Sequence, residues 1–171
     1  VVGQFGSFIW GFMQGYDGTI EEGDIFLTND PYSVRGAISH ANDWLMLMPI
    51  YKQKRLIAWS AMFGHMTDVG GKVPGSLPTD ARQIYEEGVR TPPVKIYKGG
   101  QLQEDILNIL LHNCRLPHWN LSDFNAITAA LRAIEAVTHV PLVLHGGSGI
   151  PPHMRRMLAR QHRVRKFNIG T

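Results

Sequence analysis

Residues Asn29 to Gly71 read NDPYSVRGAISHANDWLMLMPIYKQKRLIAWSAMFGHMTDVGG. Two apolar runs at the centre, Trp44 to Tyr51 and Leu56 to Phe63, are split by the polar quartet Lys52, Gln53, Lys54 and Arg55. Two strands of about seven residues around a polar turn make a β-hairpin. A hairpin returns the chain to its start, so residues just outside the two runs become neighbours. On one side these are His40 and Asp43, in a His-x-x-Asp spacing, and on the other His65.

Two imidazoles and a carboxylate on stiff backbone form a ligand set for a divalent transition metal, with positions left open for chemistry. His40, Asp43 and His65 are therefore the candidate metal ligands. Beyond them, Asp68 is a candidate to hold a ligand imidazole in one tautomer. Gly70 and Gly71 let backbone approach a ligand closely. The competing reading makes each histidine a solvated or capping residue beside a turn.

Four stretches follow one another in the order GDIFLTNDPY (Gly23 to Tyr32), AISHANDW (Ala37 to Trp44), GHMTDVGGKVPGS (Gly64 to Ser76) and EEGVRTPPVKIY (Glu86 to Tyr97). With them, the chain from Val1 to about Glu135 resembles the hydantoinase B/oxoprolinase family, whose members include the metal-bearing subunits of acetone and acetophenone carboxylases. The resemblance implies a divalent metal (manganese, zinc or iron) on His40, Asp43 and His65. It also implies a small-molecule substrate, and ATP bound by a hydantoinase A-like partner subunit. The reaction would be ATP-dependent opening of a cyclic amide, such as a hydantoin or 5-oxoproline, or ATP-dependent carboxylation of a ketone. GAISHANDW, in place of the GGTHLPD wording common among hydantoinases, leans toward the carboxylase branch. Full subunits of the family are several times longer, so the chain reads as incomplete.

The composition, 44% hydrophobic and 18% charged over 171 residues, is that of a globular chain with one good core. A single cysteine, Cys114, excludes an internal disulfide and suits a reducing cytosol. It follows Leu110 and Leu111 in a helical pattern, which favours a buried structural thiol over a nucleophile. No apolar run reaches the roughly eighteen residues that span a bilayer, so the expectation is a cytoplasmic protein without membrane contact.

Net charge divides the chain. All 14 acidic residues lie at or before Glu135, against eleven Lys and Arg, whereas six Lys and Arg and no acid follow it. Such a shift marks a change of module. The basic run Arg155, Arg156, Arg160, Arg163, Arg165 and Lys166 lacks interleaved aromatics, so a solvated helix face is expected rather than nucleic-acid binding.

Phe5, Phe8, Ile9, Phe12 and Met13 predict an amphipathic helix over residues 1–16, and its abrupt start implies chain upstream. Asp24 to Thr28 reads as a short buried strand entering the Asn29-Asp30-Pro31 turn. Asn29 and Asp30 either fix that turn through side-chain bonds or face the site. Gly70 to Pro78 is a loop, and Thr79 to Glu87 a short helix capped by Thr79. At its end, Glu86 and Glu87 are candidate acid and base groups. Adjacent helical positions diverge by about a hundred degrees, so only one of the two would approach the metal. Pro92 to Tyr97 predicts a strand and Lys98-Gly99-Gly100 its turn. A helix over Gln103 to Asn113 follows, then another starting at Ser122 or Asp123.

The tail changes character. Val140 to Leu144 and Val164 to Ile169 are strand patterns around the glycine-rich His145-Gly146-Gly147-Ser148-Gly149 and a Pro151 to Gln161 helix, which together make one βαβ unit with a phosphate-ready turn. VPLVLHGGSGIPP with RKFNIGT resembles class II fructose- or tagatose-bisphosphate aldolases. That resemblance implies a zinc ligand at His145 and phosphate binding by Gly146, Gly147, Ser148, Asn168 and Thr171. One βαβ unit cannot close an eight-stranded barrel, and a lone histidine cannot hold a catalytic zinc.

The expectation is thus an α+β chain with a central hairpin metal site over residues 1–135, followed by an aldolase-like βαβ piece over 136–171. Functionally it reads as the metal-binding part of a hydantoinase B/oxoprolinase-type subunit. A non-catalytic metal-binding domain and an aldolase-like lyase acting on a sugar bisphosphate are the alternatives.

Overall fold

The computed structural model describes residues 5–36, 38–137, 142–145 and 164–168. The predicted hairpin forms, with longer strands than the apolar runs alone suggest: β2 spans Asp43–Lys52 and β3 spans Arg55–His65. Its turn is only two residues, Gln53 (φ 51°) and Lys54 (φ 61°), both left-handed as a tight hairpin matched to strand twist requires. The strands therefore run on through the polar ends of the quartet and take in Asp43 and His65 at the other end.

β2 is buried from Trp44 to Ile50 without alternation, which identifies it as a strand covered on both faces. The sheet around it is five-stranded and antiparallel in the order β3-β2-β1-β4-β5, with β1 over Ile25–Thr28, β4 over Val94–Lys98 and β5 over Gln101–Leu102. Against one face pack α2 (Glu104–His112) and α3 (Pro117–Val137), whose Leu107, Leu110, Phe124, Ile127 and Leu131 meet Leu27, Trp44, Met46 and Ile96. Against the other packs α1 (Phe5–Gly15), whose Phe8 and Phe12 meet Phe26, Leu45 and Leu47. Period-2 alternation along β2 thus feeds two cores at once.

Three predicted elements differ. The Thr79 to Glu87 helix shrinks to a 3-10 turn over Ile84–Glu86, because the Glu86 carboxylate takes the backbone N–H groups of Arg82 and Gln83 and fixes the start there. The last long helix begins at Pro117, not at Ser122 or Asp123. Proline suits the first helical position, where its missing N–H costs nothing. The strand expected from Pro92 begins at Val94, since neither Pro92 nor Pro93 can donate to a ladder.

In the tail, β6 (Leu142–His145) and β7 (Val164–Asn168) pair in parallel, with His145 opposite Asn168 at their ends. The pairing agrees with the strand positions predicted for the βαβ unit. Gly146, Gly147, Ser148, Thr171 and the Pro151 to Gln161 helix lie outside the described residues. Among the described residues no helix is long and apolar enough to cross a membrane.

Candidate functional site

The antiparallel sheet gathers four strand ends. β1 leaves at Thr28, opposite Leu45; β2 enters at Asp43, opposite His65; β4 enters at Val94, opposite Leu27. The segments joining these ends carry every candidate residue of the first 135 except Asp43 and His65, which are themselves strand termini.

At that end, His40, Asp43 and His65 converge. His40 Nε2 lies 3.1 Å from His65 Nδ1 and 3.2 Å from Asp43 Oδ1, and His65 Nδ1 lies 3.0 Å from the same oxygen. The three donor atoms form a nearly equilateral triangle. Ser39 Oγ stands 2.9 Å from His40 Nδ1, so a proton on Nδ1 leaves the Nε2 lone pair facing the triangle. The Asp43 side chain is 14% exposed and that of His65 47%, so the triangle is backed by protein on one side and open on the other. Among the described residues, this is the group that could hold a metal ion.

The chemistry of the donor set fits a cation. Three lone pairs aimed at one point repel unless a proton or a positive ion sits among them. Edges of 3.0–3.2 Å are those of three donors each about 2.0–2.2 Å from one ion at near right angles. A two-histidine, one-carboxylate face with open positions suits iron(II), manganese or zinc.

Asn42, fully buried and lying in sequence between His40 and Asp43, extends this order. Its backbone carbonyl accepts the Met66 N–H, and its side-chain amide donates to the carbonyls of Met66 (2.9 Å) and Gly75 (3.1 Å). One side chain thus ties the turn before β2 to the segment after β3. Asn29 does the same from β1: its amide donates to Ala41 O and Val89 O, and its carbonyl accepts the Thr91 N–H. Asn29 therefore holds the site's walls together. Asp30 fixes the local turn instead, accepting from the Tyr32 N–H and the Ser33 hydroxyl.

Asp68 is not where the sequence placed it. Its buried carboxylate is given to Arg115 and the loop rather than to an imidazole, accepting from the Arg115 N–H and guanidinium and from the N–H groups of Gly70 and Gly75. Burial pushes this carboxyl up, but those donors outweigh it and hold it below its usual value. Arg115, at the break between α2 and α3, also caps the carbonyls of Gly70, Gly71 and Val73. Sequence reasoning missed Arg115, whose signal was a lone cation between two helices.

The paired glutamates separate. Glu86 is bound to Lys72, which holds it below its usual value. Glu87 reaches the site, its Oε2 lying 3.4 Å from the N–H of Ala41, next to His40. Gly71 (φ 79°) and Gly88 (φ 143°) allow this by letting the 69–71 and 86–88 backbones touch. Cys114 is half-buried with its thiol on Leu111 O, and burial pushes its pKa up, as an inert structural thiol requires. On the α1 side of the sheet, a cavity of about 280 Å³ opens between Phe8, Trp10 and Gly11 of α1 and the Val34-Arg35-Gly36 turn.

Comparison with known proteins shows what the chain is similar to. The family model described as hydantoinase B/oxoprolinase matches residues 1–167, running through the charge break at Glu135 and most of the tail. Caprolactamase subunit beta of Pseudomonas jessenii is 42% identical over 107 residues, covering 63% of this chain and 18% of its own length. The acetophenone carboxylase delta subunit of Aromatoleum aromaticum is 33% identical over 99 residues, covering 58% of this chain and 14% of its own. The crystal structure of the ATP-dependent caprolactamase from Pseudomonas jessenii superposes with a TM-score of 0.72 at 31% identity, over 93% of this chain and 26% of that one. The chain thus spans about a fifth or less of the length of these curated relatives.

Proposed function

The chain belongs to the hydantoinase B/oxoprolinase family, and from that premise we propose that it carries the metal-holding part of an ATP-dependent enzyme acting on a cyclic amide. His40 Nε2, Asp43 Oδ1 and His65 Nδ1 would hold a divalent ion, which would act as a Lewis acid on a carbonyl or phosphoryl oxygen. The observation that carries this reading is the 3.0–3.2 Å triangle of donor atoms. Ser39 would accept the proton of His40 Nδ1 when Nε2 holds the ion, and Asn42 and Asn29 hold the turn that presents it. Glu87, free of the lysine that engages Glu86, is the carboxylate available to accept a proton beside the turn. ATP would come from a hydantoinase A-like partner subunit, as the relatives' description as beta and delta subunits supports.

Identity to the caprolactamase subunit exceeds that to the carboxylase subunit, 42% against 33%. This favours a lactam-like substrate and weighs against the carboxylase lean of the AISHANDW wording. The cavity between α1 and residues 34–36 is of a size for a small ring. A second reading concerns the tail as a separate aldolase-like piece over 136–171, with His145 and Asn168 as half of a phosphate or zinc site. The parallel β6–β7 pair supports it, and the unbroken family match to residue 167 weighs against it.

Elemental analysis of the purified chain tests the main reading. Near-stoichiometric manganese, zinc or iron, lost in both His40→Ala and His65→Ala, is the expected result. Absence of metal from wild type, after incubation with each ion, would overturn it.

A further inference from the structure

We propose that Arg90, packed beside Tyr32 and Tyr85, is the oxyanion-recognising residue of a second subsite at the same end of the sheet, where it takes a phosphoryl or carboxylate group of the substrate. Its guanidinium carbon lies 5.7 Å from the Tyr32 ring centroid and 5.3 Å from that of Tyr85. The two tyrosines are 70% and 67% exposed, the highest values among the exposed large hydrophobics. Two rings this open, held around one cation, are not core packing.

The guanidinium is also oriented. Its Nε points at Asp30 Oδ1 at 3.8 Å, and Asp30 is itself nearly buried and already engaged by the Tyr32 N–H and the Ser33 hydroxyl. With two rings beside the guanidinium and Nε the nitrogen nearest Asp30, the edge carrying the two terminal nitrogens is left without a partner among the described residues. That edge is the planar fork that binds a carboxylate or phosphate through two parallel hydrogen bonds. Stacking fixes the side chain in advance, so little rotamer freedom is lost on binding.

Position links the fork to the metal triangle. Val89 O and Thr91 N–H, on either side of Arg90, are both bonded to Asn29, whose amide also holds Ala41 O next to His40. The fork and the triangle thus share one buried asparagine as their common support. An ATP-dependent reaction on an amide passes through an oxyanion-bearing group, and the fork would hold such a group at the same end of the sheet as the triangle. The choice of substrate rests on the family reading; the subsite itself does not rest on the metal.

The test is a titration of metal-free protein, kept in chelator, with inorganic phosphate and separately with acetate, following the Arg90 Nε–H resonance by NMR. A saturable shift with phosphate assigns a phosphoryl group, and one with acetate alone assigns a carboxylate. In Arg90→Lys, which keeps the charge and loses the fork, the anion's affinity measured by calorimetry should fall roughly tenfold or more. Tyr85→Leu should weaken it severalfold. No saturable shift in wild type, or equal affinity in Arg90→Lys, would overturn the subsite. Because no metal is present, that failure is separate from failure of the His40–Asp43–His65 reading.

Discussion

Asp43 and His65 are the terminal cross-strand pair of the hairpin, and they face each other because Ile57 is left out of the ladder. Near the turn Lys52 pairs with Arg55 and Tyr51 with Leu56, but from Ile50 onward the partners are one residue further on, Ala58 with Ile50 and so up to His65 with Asp43. Ile57 forms the bulge. Without that slip Asp43 would stand opposite Gly64, and His65 would turn to the α3 face, since a shift of one residue exchanges the faces of a strand.

This register predicts an asymmetry between two one-residue changes. Deleting Ile57 removes the bulge and leaves Asp43 opposite His65, so metal binding should persist within about threefold of wild type. Inserting one alanine after Ala61 sends His65 to the other face and should abolish it. Calorimetric titration with manganese or zinc on both variants checks this, with circular dichroism to confirm the sheet. Loss of binding in the deletion alone would refute the register argument.

The turn that closes the hairpin is the second place to act. Gln53 and Lys54 both hold positive φ, 51° and 61°, where side chains other than glycine and asparagine are strained. Lys54→Gly should therefore raise stability by about 1 kcal/mol, read as a higher midpoint in urea at unchanged slope. A lower midpoint would mean that the positive-φ turn does not form in solution.

Much of this was legible in the chain. The hairpin and the convergence of His40, Asp43 and His65 followed from two apolar runs and a polar turn, because strand pairing converts sequence symmetry about Gln53 and Lys54 into proximity. The bulge was not legible, since nothing about Ile57 distinguishes it from its apolar neighbours. Asp68 was misplaced for a related reason: its partner Arg115 lies 47 residues away, and a long-range pair leaves no local pattern. Glu86 and Glu87 stayed indistinguishable because their difference depends on Lys72, brought up by a loop rather than by a periodic element. Arg90 passed unnoticed because a cation beside two tyrosines 58 and 5 positions away has meaning only once folding brings the turn after β1 and the 3-10 turn to the same arginine.

Asp68 gives stability a dependence on pH. Its folded pKa is lowered by Arg115, Gly70 and Gly75 from the ordinary value of 3.8, so its contribution is fully present above that value and is lost as pH falls through the lowered one. Asp68→Asn should cost about 2–3 kcal/mol at neutral pH, with a charge-assisted bond gone and Arg115 left uncompensated. Urea unfolding of both proteins should show that gap narrowing as pH drops below about 4. A gap constant across this window would show that the carboxylate's charge is not what holds the loop.

Gly71 and Gly75 allow backbone freedom and packing to be separated. Both have positive φ, 79° and 81°, so alanine at either carries the same conformational strain, about 1 kcal/mol or slightly more. At Gly75 a Cβ would meet nothing within 4 Å, whereas at Gly71 it would lie 2.5 Å from Glu86 O and 2.6 Å from Glu87 C. Gly71→Ala must therefore push the 86–88 segment away, adding about 1–3 kcal/mol to the strain. Because Glu87 rides on that segment and reaches Ala41 beside His40, the displacement should also weaken metal binding, by roughly tenfold. Gly75→Ala should leave affinity unchanged. Urea midpoints and metal titrations of the two variants, side by side, decide it. Equal costs in stability and affinity would show that the 69–71 and 86–88 backbones are not in contact, and that Glu87 does not support the turn carrying His40.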